Sequence, residues 1–459
     1  MKKTALSLLV GLVFSGASAA DNLVDIYEQA LANDPVVKQA KANRDSAFKG
    51  ISVSRADLLP QVSASIGYTF TGGTSSQAAQ IEDADGNVVG FNFPVFDSER
   101  TNFNYGIDAS ISIYDHSNWV NLRRAEKVAQ QSDSQYAAEL QELIVRVVTA
   151  YLSVLREQDN LEFVQAEKRA IARQLEQTKQ RFEVGLTAIT DVHEAQANFD
   201  NTVASEIQAE NAVELALEDL RVITGKYHKG LDVLNKERFS ATRPQPETVK
   251  EWLDIAEERN LELLAQNLQI QIAKDDIDAT KAGLYPTASL SAFYDEDDST
   301  QTIGDLPEAD IPSVDTYGAQ ATISIPIFAG NRIRSQTKQA RYAYVVASEQ
   351  RELIHRQTIQ QVRSSYNDVR AAVLSIKALG QSVVSAESAL QATEAGFDVG
   401  TRTIVDVLDS TRNLFDASRN LASARYDFIQ AVINLKRASG ELTKSDLEMI
   451  NKGLMTPKS

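Results

Sequence analysis

The chain has 459 residues, 63 of them acidic and 46 basic, for a formal net charge of −17, and it contains no cysteine. That negative excess repels nucleic acid and anionic lipid surfaces. The lack of cysteine excludes disulfides, thiolate metal sites and lipid attachment behind a leader.

Met1–Ala20 reads as a signal peptide. Lys2 and Lys3 precede an apolar run over Ala5–Phe14, and Ala17, Ser18, Ala19 and Ala20 offer a small-residue cleavage site. The run is too short to span a bilayer. The mature chain is expected to start near Asp21 and to be exported. No later run approaches ~20 apolar residues, so passage through a membrane must use strands.

A helix is predicted over about 22–57 and ends before Pro60, which has no N–H and disfavours a helical residue ahead of it. Alternation with period two then predicts strands at about 61–70 and 102–114. Val62, Ala64, Ile66, Tyr68 and Phe70 share a face of the first; Phe103, Tyr105, Ile107, Ala109, Ile111 and Ile113 share a face of the second. The segment between them, Thr71–Thr101, is rich in Gly, Ser and acids and reads as a long external loop. From Ser117 to Arg181 there is neither Pro nor Gly. At ~1.5 Å per residue this predicts a helix of about 100 Å. Tyr136, Leu140, Leu143, Val147, Tyr151 and Val154 form its packing stripe. A turn at FEVGLTAITD, a helix over about 190–224 and a Gly- and Pro-bearing linker follow.

The same order then recurs: a helix over about 248–283, Pro286, and strands at about 287–294 and 317–328. Ala288, Leu290, Ala292 and Tyr294 share a face of one strand; Tyr317, Ala319, Ala321, Ile323, Ile325 and Ile327 share a face of the other. Asp295–Thr316 reads as the second external loop. A long helix over Asn331–Glu394 carries Tyr366, Val369, Val373 and Ile376 as its stripe. The turn FDVGTRTIVD and a helix over about 403–439 complete the set. Phe182–Gly225 aligns with Phe397–Gly440 without a gap, and Pro60 aligns with Pro286. One structural unit is therefore used twice, over 21–225 and 248–440, with a linker at 226–247 and a tail at 441–459.

Four strands cannot close a barrel alone, and lipid does not tolerate open edges. Two chains would supply about eight strands, whose interior side chains fill; three would supply about twelve, with an open lumen. A soluble sheet with one buried face is the alternative reading of the same alternation.

Gly185 and Gly400 suit the left-handed position that ends a helix. Thr190 and Thr403 are placed to cap the helices that follow. Asp406 and Asp409 lie three apart on one helix face, as do their first-repeat counterparts Asp191 and Glu194. A solvated carboxylate face near a helix N-terminus is the plain alternative. His116, His193, His228 and His355 are scattered without metal-ligand spacing. No P-loop, G-x-S-x-G or G-x-G-x-x-G occurs, so neither an enzyme nor a metal or cofactor site is expected.

The order of elements, with the tip motifs VGLTAIT and VGTRTIVDVLD, resembles the TolC-type channel-tunnels of the outer membrane efflux protein family, from the leader to about Leu442. The resemblance implies a mainly α fold with a β-barrel. In it, a homotrimer forms a 12-stranded barrel in outer-membrane lipid, four strands per chain, continuing into a long α-helical barrel in the periplasm. It implies an exit duct for small-molecule efflux or type I protein secretion, opened by partner-driven untwisting of the periplasmic helices. The partners it implies are a periplasmic adaptor (a membrane fusion protein) and an inner-membrane pump of RND, ABC or MFS type.

The same resemblance assigns Asp406 and Asp409 to an acidic ring at the periplasmic entrance. It assigns a gate latch to Arg402, bonding Asp191 and Thr190 across chains, and to Glu394 with Gln174. The family carries a tyrosine in that latch where this chain has Phe397, which offers no hydroxyl. The tips Val184-Gly185-Leu186 and Val399-Gly400-Thr401 match the family's adaptor contacts. Two other readings share these features: a non-conducting outer-membrane tether or receptor, and a soluble periplasmic coiled-coil scaffold.

Overall fold

The structure, a computed structural model, describes residues 21–76 and 78–456. The expected leader, Met1–Ala20, lies outside the described residues. The first repeat runs α1 (Leu23–Asn33), α2 (Pro35–Ala56), β1 (Gln61–Ser76), a hairpin of β2 (Ala79–Glu82) and β3 (Val88–Asn92), β4 (Val95–Tyr114), α3 (His116–Glu183) and α4 (Ile189–Thr224). The linker holds β5 (Val233–Leu234). The second repeat runs α5 (Val249–Arg259), α6 (Leu261–Ala282), β6 (Thr287–Ile303), β7 (Ala309–Ser324), α7 (Arg332–Asp398) and α8 (Ile404–Ser439). The tail adds α9 (Lys444–Asn451) and β8 (Leu454–Met455). The chain is mainly helical, with four long strands. It divides into two compact units that cut across the repeats.

One unit, Asp45–Gln131 with Leu268–Glu349, carries the sheet. Its order is β1-β4-β6-β7, every pair antiparallel. The β4–β6 ladder joins the repeats. Register places the predicted apolar residues on a single face: Ile66 opposes Tyr105, Tyr68 opposes Phe103, Ile107 opposes Tyr294, and Tyr294 opposes Tyr317. Nothing among the described residues covers that face: Ile66 and Tyr317 are each 78% exposed and Ile323 72%. A soluble sheet would bury such a face, so that reading fails here. Among the described residues, β1 and β7 each keep one unpaired edge.

The strands differ from their predicted lengths in both directions. β1 and β4 pair on through Thr71–Arg100 to Ser76–Val95, inside the segment read as loop, and β6 continues to Ile303. A ladder needs backbone N–H and C=O groups but no apolar side chains, so it outlasts the apolar alternation. β7 instead stops at Ser324. Pro326 has no N–H to continue it, leaving Ile325 and Ile327 beyond the strand. A register shift between Ser112 and Tyr114 takes Ile113 out of the predicted alternation.

The other unit comprises the segment up to Arg44, Ser132–Asn267, and the chain from Gln350 onward. Its core is the predicted stripe of α3, with Leu143, Val147, Tyr151 and Val154 at zero exposure. They pack with Leu23 and Ile26 of α1, Trp252 of α5, Val369 of α7 and Tyr426 and Ile433 of α8. Each such burial contributes roughly 1.5–3 kcal/mol. The Tyr151 hydroxyl donates to the Asp232 carbonyl at 2.7 Å and so fastens the linker to this core.

Two predicted helices are each broken in two. The breaks fall at Asp34 and Asn260, each 26 residues before the matching Pro60 or Pro286. Pro35 forces Asp34 out of helical conformation. Asn260 has no proline after it; its side chain instead accepts from the Leu263 N–H at 3.0 Å and starts α6 as a cap. The linker and tail meet where β5 pairs with β8.

Candidate gate and docking tips

The two tips are built alike. α3 ends at Glu183 and Gly185 follows at φ +80; α7 ends at Asp398 and Gly400 follows at φ +78. In each, two N–H groups fold back onto the last helical carbonyls: Gly185 onto Phe182 and Leu186 onto Arg181, Gly400 onto Phe397 and Thr401 onto Gly396. These bonds satisfy carbonyls that a helix end otherwise leaves open. Val184, Leu186 and Val399 are left 70%, 70% and 76% exposed.

The helices that follow start differently. Thr403 caps α8: its hydroxyl accepts from the Asp406 N–H, and the Asp406 carboxylate accepts from the Thr403 N–H at 2.8 Å and its hydroxyl at 2.9 Å. These bonds, the backbone one foremost, hold the Asp406 carboxyl below the usual carboxylate range. The expectation that Thr190 caps α4 is wrong. α4 already begins at Ile189, so Thr190 lies inside it, and the cap position is Ala188. Alanine has no acceptor, and Asp191 reaches back alone, to the Ala188 N–H at 3.4 Å and the Thr187 hydroxyl.

Asp409 is exposed and pairs with Arg412, one turn along, at 3.4 Å; Arg412 also donates to Asn198 of α4 at 2.7 Å. Gln174 donates to Thr411 at 3.2 Å, while its carbonyl oxygen is buried without a partner. Arg402, Glu194 and Glu394 are exposed and form no ion pair among the described residues. Within one chain, therefore, Arg402 does not meet Asp191, nor Glu394 Gln174.

Beneath the tips sits a small separate core: Ile171 of α3, and Ile404, Val407 and Leu408 of α8, joined by Phe199, Leu390 and Phe397. Arg181 lies against Phe397 and approaches Asp398 at 3.7 Å. Sequence reading missed Arg181, Thr187, Thr411 and Arg412. Only Arg412 left a signal, its helical spacing from Asp409. No described helix is long and apolar enough to cross a membrane, which says nothing of the strands.

A sequence profile described as "Outer membrane efflux protein" matches residues 26–226 and 252–441, one stretch for each repeat. The chain belongs to the outer membrane efflux protein family. It is 43% identical to the outer membrane protein TolC of Vibrio cholerae serotype O1, over 97% of this chain and 96% of that protein. It is 40% identical to TolC of Escherichia coli K12, over 100% of this chain and 90% of that protein. The fold matches the crystal structure of the channel CusC, with a TM-score of 0.74 at 16% identity, over 92% of each chain. This efflux protein is accordingly a channel of the outer membrane and not an enzyme.

Proposed function

We propose that three copies of this efflux protein close their sheets edge to edge, β7 of one chain against β1 of the next. The result is a barrel of about twelve strands with an open lumen. The single observation carrying this reading is the pair of unpaired edges flanking an uncovered apolar face. Lipid covers the face, and neighbouring chains satisfy the edges. The protein then serves as a passive exit duct, with energy supplied by an inner-membrane pump of RND, ABC or MFS type through a periplasmic adaptor.

In this assembly Asp406 and Asp409 of three chains ring the periplasmic entrance and favour cations. Asp191 commits one carboxylate oxygen to Thr187 and Ala188, leaving the other to receive the Arg402 fork of a neighbouring chain, beside Thr190. Gln174 uses one amide N–H on Thr411 and keeps a second for Glu394 of a neighbour. Val184-Gly185-Leu186 and Val399-Gly400-Thr401 receive the adaptor, and its engagement untwists the helices and breaks these ties.

Planar-bilayer recording of the purified protein tests the duct. Discrete cation-preferring conductance is expected; an assembled protein that never conducts would make it a tether instead.

A further inference from the structure

Away from the tips, the helical unit holds a cavity of about 620 Å³ between the linker, α5, α8 and α9. That volume lies within the range of small-molecule sites. Its walls are mostly carbon. Phe239 of the linker meets Phe428 of α8 edge to face, centroids 5.9 Å apart, and Val432, Met449 and Ile450 extend the surface. Trp252 is buried behind this surface, and its N–H donates to the Pro246 carbonyl at 2.8 Å.

The charges around this cavity are unbalanced. Four charged residues border it: Arg238, Arg243, Lys436 and Asp446. Asp446 is buried and fully engaged, by Lys436, by the Thr443 N–H at 2.8 Å and by the Thr443 hydroxyl at 3.1 Å. Lys436 is neutralised in the same pair. Arg238 and Arg243 are exposed, and neither side chain has an ion-pair or hydrogen-bond partner among the described residues. Two uncommitted guanidiniums therefore stand beside an aromatic pocket, in a chain whose formal charge is −17.

We propose that this cavity is a binding site for an amphipathic anion, its apolar body against Phe239, Val432, Met449 and Ile450, over the buried Trp252 and Phe428, and its carboxylate or sulfate head on Arg238 and Arg243. Guanidinium forks bind carboxylates in two parallel bonds, and the apolar wall adds affinity that a small inorganic anion lacks. A neutral lipid satisfies the wall and leaves the arginines unpaired; a neutral sugar can stack and hydrogen-bond but brings no charge to balance them. The site is read from one chain, and its test, laurate binding, is scored separately from conductance.

The chain has two tryptophans, Trp119 and Trp252, so Trp119→Phe makes Trp252 the only reporter. The Trp119→Phe protein, assembled in zwitterionic-lipid nanodiscs, is titrated with laurate and, separately, with dodecanol. Laurate is expected to change Trp252 emission saturably, at concentrations at least tenfold below those dodecanol needs. Adding Arg238→Gln and Arg243→Gln is expected to weaken laurate at least tenfold and leave the dodecanol response unchanged, which also reports an intact pocket. Equilibrium dialysis of radiolabelled laurate covers binding that is silent in fluorescence. Equal responses to laurate and dodecanol, laurate binding indifferent to both arginines, or no arginine-dependent uptake in dialysis would each overturn the proposal.

Discussion

The guanidinium carbon of Arg181 lies 4.6 Å from the centroid of the Phe397 ring. The contact joins the last turn of α3 to the last turn of α7, next to the small core under the tips. A phenylalanine gives up a tyrosine's hydroxyl but keeps the π face on which a cation sits. We propose that closure at this point rests on this stacked cation, where the family's tyrosine would supply a hydrogen bond that Phe397 was expected to lack.

Removing the stack should loosen the resting gate. Phe397→Leu and Arg181→Gln should each raise opening frequency in single-channel records. A double-mutant cycle should give a coupling of roughly 0.5–1 kcal/mol per chain. Phe397→Tyr keeps the ring and adds a hydroxyl, so it should open less often than the parent. Additive single effects would mean the two side chains are neighbours and nothing more.

Arg402→Ser should raise resting conductance several-fold, because in the proposed trimer Asp191 loses its neighbour across the interface. Arg402→Lys should restore only part of the closure, a point charge replacing a planar fork. Conductance identical in all three proteins would place closure in helix packing alone.

The proposed acidic entrance carries a pH signature. Asp406 has a depressed pKa, held down first by the Thr403 backbone bond and then by the Thr403 hydroxyl. Its charge, and the stability it lends the cap, are present above the ordinary carboxylate range and are lost only as pH falls through the lowered value. Block by multivalent cations from the periplasmic side should persist to correspondingly acidic pH. Thr403→Val removes one of the bonds, so the block should fade at higher pH than in the parent. Asp406→Ala with Asp409→Ala should abolish it. A block surviving that double change would remove both residues from the entrance.

At Gly185 and Gly400 two effects can be separated. Both sit at positive φ, yet a Cβ on either would meet nothing within 4 Å. Alanine therefore adds backbone strain, on the order of 1 kcal/mol, without bulk. Export should survive Gly185→Ala and Gly400→Ala and fail with Glu at either position, the assembly staying intact in gels. Failure of the alanine variants too would make these glycines turn formers only.

The sheet faces differ in what they tolerate. Ile66→Lys puts a charge on the uncovered apolar face and should cost up to about 2–4 kcal/mol of membrane assembly. Ser65→Lys, on the opposite face, should assemble normally. Heat-modifiable gel mobility distinguishes them.

Much of this architecture could be read from the chain because periodicity, proline and the repeat each act locally. The α3 stripe from Leu143 to Val154, Pro60 and Pro286, and the positive-φ glycines were all legible. What escaped depends on groups that leave no periodic trace. The ladder past Phe70 is held by backbone groups, the break at Asn260 by one side-chain cap, and the Asp191 contacts by Thr187 where a hydroxyl at Ala188 is missing. Arg181 and Phe397 lie far apart in sequence, and their stacking exists only once α3 and α7 are packed.

The unpaired edges of β1 and β7 also bear on how the protein reaches its membrane. A lone chain entering lipid carries two rows of unbonded N–H and C=O groups, each group a cost of several kcal/mol. In the proposed trimer no such cost falls on chains that meet first. Entry into the bilayer thereby becomes a reaction of high kinetic order, rising more steeply than in proportion to the number of chains exported. A cell making few copies would feel this as delay, with the unassembled sheet waiting at the water side of the membrane.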